Sequence, residues 1–63
     1  MTQWMHVSRG TFYTEIGRGK FQHNNRALLD DEDVVIYRSN TDGQIWVRLV
    51  REFEDGRFTK VPP

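Results

Sequence analysis

The chain contains no cysteine, which excludes a disulfide framework and any cysteine-ligated zinc site. Its two histidines, His6 and His23, stand far apart with no ligand spacing around them, and no cofactor is expected. Charge of one sign is also missing: nine basic residues balance nine acidic ones, for a formal net charge of zero. Affinity for nucleic acid comes largely from neutralising phosphates, so the balance argues against a dedicated nucleic-acid binder. The balance is uneven locally, because residues 30–33 are all acidic whereas residues 9–20 lean basic. No apolar run approaches the roughly 20 residues that span a bilayer. The opening Met-Thr-Gln-Trp-Met-His has neither the charged nor the apolar region of a signal peptide. A cytoplasmic protein with no membrane partner is the expectation.

Sixty-three residues imply a single domain with a thin core, since a chain of this size buries only about 60% of its unfolded surface. Without a disulfide or metal staple, self-association is the simplest way to add buried area, and a homo-oligomer is expected. No segment carries a helical period over three turns, and there are no repeats. What is present is β-type. Residues 34–38 and 45–50 are dense in β-branched and aromatic side chains. Asp42-Gly43 lies between them, where a glycine can take positive φ and close a hairpin. The connection spanning residues 39–44 is too long for a two-residue turn, so a type I turn with a glycine bulge is predicted. Asp55-Gly56 repeats the turn signal before a last strand at residues 58–61, which Pro62-Pro63 ends. Val50 and Phe53, three apart, fit one 3₁₀ or α turn.

Earlier in the chain, residues 1–9 read as a first strand or an arm, and Trp4 is expected to pack on the barrel or on a partner. Ser8-Arg9-Gly10 reads as a turn. Residues 11–16 alternate as a strand with Phe12 and Ile16 assigned to the inside. Gly17-Arg18-Gly19-Lys20 then interrupts as a bulge or bend. A phosphate loop fails there, for want of a third glycine and a following helix. Residues 23–33 read as a polar loop, with Leu28-Leu29 tucked under the sheet and the acidic run as a solvated turn. That run lacks the alternate oxygen ligands, glycine and distal Glu of a calcium loop. The sum is an all-β fold: a small SH3-like barrel of about five short strands with one helical turn near the C-terminus, residues 11–61 forming its body.

No Ser/His/Asp or Cys/His constellation, paired carboxylates or metal set is present, and the chain is not expected to be an enzyme. A binding module is expected instead. If residues 34–38 and 45–50 pair about Asp42-Gly43, Arg38, Trp46 and Arg48 share one neighbourhood with Tyr37 nearby. Arginine gives bidentate contacts to phosphate and the aromatic rings give a stacking face. Tyr37, Arg38, Trp46 and Arg48, joined by Arg18 and Lys20 from the glycine bend, are the candidate ligand-binding residues for a small anionic, nucleotide-type molecule. The competing reading has Trp46 and Tyr37 in the core and the arginines in solvent. A further alternative is a module that grips a host protein through aromatic surface residues.

Residues 12–22 (FYTEIGRGKFQ), 34–38 (VVIYR), 45–48 (IWVR) and 52–58 (EFEDGRF) together resemble the DUF1653 family and its looser relatives, short bacterial and prophage proteins with a "VVYR … LWVRP … F" core. The resemblance covers roughly residues 11–61. Leu49 departs from it, standing where those proteins commonly carry proline. The resemblance implies a compact SH3-like β fold, a phage or prophage setting and no particular chemistry. Combined with the candidate residues, it leads to the expectation of a non-enzymatic counter-defence protein that sequesters a nucleotide-type signal.

Overall fold

The computed structural model describes residues 1–22 and 32–62. The order is β1 (Gln3–His6), β2 (Thr11–Phe21), β3 (Glu32–Ser39), β4 (Ile45–Leu49), α1 (Val50–Phe53) and β5 (Phe58–Val61). The strands form one antiparallel sheet in the order β4-β3-β2-β1-β5. β2, β3 and β4 run as a meander, and β5 returns beside β1 after a single helical turn. The five strands and the single helical turn are those of the expected small all-β fold. The N-terminal segment is thus an inner strand rather than an arm, paired with β2 on one side and β5 on the other. No helix among the described residues is long and apolar enough to cross a membrane.

Two hairpin loops are built alike. Gly10 donates its N–H to His6 O at 2.7 Å, and Gly43 donates to Ser39 O at 2.9 Å. Each glycine ends a four-residue loop with positive φ, 69° and 76°, which an L side chain adopts only with strain. The expected glycine-closed hairpin therefore occurs twice, and it brings the tips of both loops to one end of the sheet.

The register assigns the faces. Trp4, Tyr13, Glu15, Val35, Tyr37, Trp46, Arg48 and Phe58 share one face, whereas Met5, Phe12, Ile36, Arg38, Ile45 and Val47 share the other. Trp4, Tyr13, Val35, Tyr37, Phe53 and Phe58 form the core cluster, with Val50 packed against it. Phe53 and Val35 are fully buried. The rings meet mostly edge to face: Trp4 on Phe53 at 4.9 Å and Tyr13 on Tyr37 at 5.5 Å, with Phe53 stacked on Phe58 at 4.3 Å. Such geometry adds about 0.5–1.5 kcal/mol per pair beyond area burial.

Three expectations are corrected by the structure. Phe12 and Ile16 are each 45% exposed rather than inside. Tyr13 holds the inward position, because only its face meets α1 and the aromatic residues of β1, β3 and β5. Nor does the chain break at Gly17-Arg18-Gly19-Lys20. β2 continues to Phe21, and its register shifts between Glu15 and Gly17, so the bulge falls at Ile16. An extra residue there lets the long strand bend while pairing continues. β3 also starts earlier than predicted, taking in Glu32 and Asp33, which ion-pair with Arg51 and Lys20. The Leu28-Leu29 plug, His23, Asp30 and Asp31 lie outside the described residues.

Candidate functional site

The inner face has two ends, and α1 covers one of them. There, Trp4 Nε1–H donates to Glu15 Oε1 at 3.0 Å, and Arg18 Nε donates to Glu15 Oε2 at 3.1 Å. Arg18 Nη1 also reaches Glu54 Oε2 at 3.0 Å, just beyond α1. Burial by itself pushes the Glu15 carboxyl up from its ordinary value. Hydrogen bonds from Arg18 and Trp4, with the charges of Arg18 and Lys60, outweigh burial and hold it lower. Arg18 is raised in turn, chiefly by its hydrogen bond to Glu15. These contacts tie β1, β2 and the end of α1 together.

The other end is open. A cleft of about 280 Å³ lies over Tyr13, Tyr37 and Phe58, walled by His6, Arg9 and Asp42 on the loop side and by Trp46 and Arg48 on β4. Tyr37 and Trp46 are direct cross-strand partners, as are Val35 and Arg48, so Trp46 and Arg48 stand two apart on the face that carries the Tyr37 ring. Trp46 is 52% exposed. Arg48 Nε donates to Tyr37 Oη at a long 3.4 Å, and Nη1 is 3.9 Å from Glu52. The Tyr37 contact raises the Arg48 guanidinium and burial opposes it, so Arg48 is a fixed cation at any ordinary pH. Arg9 makes no ion pair with any described residue, and its backbone N–H donates to His6 Nδ1 at 3.3 Å. Asp42 Oδ1 accepts the Gln44 N–H at 3.0 Å. Chemically, the cleft offers an exposed indole face, two arginines, one carboxylate and phenolic oxygens, a combination suited to holding a planar molecule that bears an anionic group.

Of the six residues singled out from the sequence, the structure brings Tyr37, Trp46 and Arg48 together here. Arg18 and Lys20 line a different depression, with Gly19, Asp33 and Val50. Lys20 Nζ sits 2.6 Å from Asp33 Oδ1, and Arg18 is held by its two carboxylates. Arg38 is exposed on the opposite face, in register with Thr14 and Ile45. The aromatic residues divide between the two competing readings, since Tyr37 is core while Trp46 is largely in solvent.

Sequence reasoning missed Arg9, His6 and Asp42. A signal for two of them was present: Arg9-Gly10 and Asp42-Gly43 occupy the same position in two loops of the same design, so equivalent residues before the closing glycine meet across the cleft. Among the described residues no group of three or more His, Cys, Asp or Glu could hold a metal ion. No family model matches the chain, and neither a curated protein nor a solved structure matches it. The resemblance to DUF1653-type proteins therefore rests on the quoted motif strings.

Proposed function

We propose that this protein binds and sequesters a small planar anion of mononucleotide type in the cleft between its two glycine-closed loops, and performs no catalysis. One observation carries the reading: a half-exposed Trp46 stands beside Arg48 and across from Arg9, which has no ion pair among the described residues, over a floor of buried aromatic rings. A base stacked on Trp46 would leave its phosphate within reach of Arg9 and Arg48, and the second Asp42 oxygen would accept from a ring amine or a sugar hydroxyl. The cleft volume of about 280 Å³ sits near the lower limit of ~300 Å³ for small-molecule sites, which suits one nucleotide unit better than a longer chain. In the phage or prophage setting that the motif resemblance suggests, such sequestration would blunt a nucleotide-borne host defence signal.

The test is a thermal-shift and calorimetric screen with mononucleotides, cyclic dinucleotides and ADP-ribose-type molecules. Micromolar binding by at least one of them is expected, weakened tenfold or more (about 1.4 kcal/mol) in both Trp46→Ala and Arg48→Ala. No response to any member of the panel would sink the reading. A second reading, a grip on a host protein, is favoured by the exposed Phe12 and Ile16 on the outer face. It predicts that one host protein co-purifies with the wild type and is lost from a Phe12→Ser, Ile16→Ser double variant.

A further inference from the structure

The sheet ends in two edge strands that are protected very differently. The outer edge, β5, is short, carries the exposed Lys60 and runs straight into Pro62, all devices that discourage another strand from adding. At the opposite edge, β4 has no proline and no bulge, and Arg48 is its single charged residue. Ile45, Trp46 and Val47 are nonetheless all exposed there, Val47 at 59%. Among the described residues no strand pairs with its outer side.

The backbone phase of that edge follows from the ladder. Ser39 donates its N–H to Gln44 O at 2.9 Å, and antiparallel pairs alternate between bonded and non-bonded. In the register Tyr37↔Trp46 and Val35↔Arg48, Trp46 and Arg48 therefore direct their N–H and C=O groups at β3. Ile45 and Val47 direct both of theirs outward, and Leu49 directs its N–H outward while its carbonyl, at the N-cap of α1, serves the helical turn. Five backbone donors and acceptors on an apolar strand thus face away from the sheet.

We propose that this edge pairs with the β4 of a second copy of the chain, antiparallel and centred on Val47, to form a two-fold dimer with one continuous ten-stranded sheet. In that register Val47 opposes Val47 of the other copy, and Ile45 opposes its Leu49. Val47 meets Val47 through two bonds, and each Leu49 N–H donates to the other copy's Ile45 carbonyl, giving four hydrogen bonds. A centre on Arg48 leaves two, and a centre on Trp46 keeps four but sets the two indoles opposite each other and each Arg48 opposite Gln44. The charges also fit: Arg48 falls opposite the other copy's Trp46, a cation beside an indole face. A centre on Arg48 would instead set the two guanidiniums against each other. The outer face becomes an unbroken Ile-Val-Leu stripe, and each cleft gains an arginine from the other copy at its Trp46 wall. A five-residue edge is only about 17 Å long, so the contact falls below the ~1,200 Å² of a stable complex. Association with a dissociation constant on the order of 10–100 µM is expected.

The dimer places the other copy's arginine at the Trp46 wall, but its test is independent of the ligand reading, because Val47 lines no part of the cleft. Sedimentation equilibrium and native mass spectrometry of the ligand-free protein, from about 1 µM to about 500 µM, should give a monomer–dimer equilibrium. Val47→Lys, a change at an exposed side chain, should weaken it at least tenfold. Because the chain has no cysteine, Val47→Cys gives a second readout that does not depend on that variant. Bonded antiparallel pairs hold Cα atoms about 5.5 Å apart, within disulfide reach. Mild oxidation should therefore link two Val47→Cys chains much faster than two Thr59→Cys chains, whose cysteine sits on the β5 edge. A wild-type monomer across the whole range would overturn the proposal, even if that monomer took up a foreign extended peptide. So would a dimer that survives Val47→Lys, or equal cross-linking at the two positions.

Discussion

The two ends of the inner face use the same side chains to opposite effect. Each has one tryptophan and one arginine on the sheet with glutamate nearby. At the covered end Trp4 is 8% exposed and its N–H is bonded to Glu15, while Arg18 bridges two carboxylates at 3.0 and 3.1 Å. At the open end Trp46 is 52% exposed, and Arg48 touches Tyr37 and Glu52 at 3.4 and 3.9 Å. The difference is α1. Its one turn places Phe53 against Trp4, Tyr37 and Phe58, and nothing comparable among the described residues lies over Trp46. One end spends its polar groups on holding the fold, and the other leaves them for a ligand.

The most severe way to break this contrast is to remove what covers the closed end. Phe53→Ala deletes a fully buried ring that contacts three other aromatic residues. Such truncations cost about 3–5 kcal/mol, and small domains have roughly 5 kcal/mol to lose. Chemical denaturation should find this variant largely unfolded in buffer, with both ends of the face lost together.

The two tryptophans sharpen the comparison at a smaller scale. Trp4→Phe keeps most of the packing but strands Glu15 without its indole donor. A bond to a charged partner contributes about 1.5–3 kcal/mol, and a loss near the lower bound is expected because Glu15 keeps Arg18. Trp46→Phe removes no bond and little burial, so its cost should stay within about 0.5 kcal/mol. Equal effects in urea titrations would contradict the assignment of Trp4 to structure and Trp46 to binding.

Much of this division was legible in advance, and the missing part has a definite cause. The strand count, the helical turn and the glycine-closed hairpin followed from β-branched density and from Asp42-Gly43, which are local signals. Which face is buried did not follow. Tyr13 and Phe12 are both aromatic neighbours on one strand, and a period of two cannot say which set meets the core. That was decided by α1 and by β5 pairing with β1, contacts remote in sequence. The bulge at Ile16 further disguised β2, since the glycines after it imitate a break. The cleft was half legible: cross-strand pairing within one hairpin predicted Arg38, Trp46 and Arg48 together with Tyr37 nearby, but Arg38 lies on the opposite face. Arg9 and His6 come from the other hairpin and needed the tertiary fold.

The pH response should also separate the ends. Glu15 is held below its ordinary value of 4.5 in the folded protein. Its contribution to stability is then complete above that value, the one it regains on unfolding, and is lost as pH falls through the lowered folded value. Between about pH 5 and about pH 3, wild type should lose more stability than Glu15→Gln, whose side chain keeps an acceptor for Trp4 but does not titrate. Parallel curves for the two proteins would show that the carboxylate is not what ties β1 to β2.

The smallest expected effect concerns the two arginines, and it bears most directly on function. Arg18 is paired at both ends, but its partners are partly in solvent, Glu54 at 48%. Exposed pairs contribute at most about 1 kcal/mol. Arg18→Ala should therefore cost about 0.5–1 kcal/mol in a urea titration. Arg48→Ala gives up one long hydrogen bond and one distant carboxylate, and should cost less than about 0.5 kcal/mol. Binding should reverse the order, with Arg48→Ala weakening the planar anion and Arg18→Ala leaving it unchanged. If Arg48→Ala destabilised the fold more than Arg18→Ala, the guanidinium at the open end would be a strut for Tyr37. The cleft would then offer one cation without a partner among the described residues, Arg9, in place of two, and the case for a phosphate-bearing ligand would fall with it.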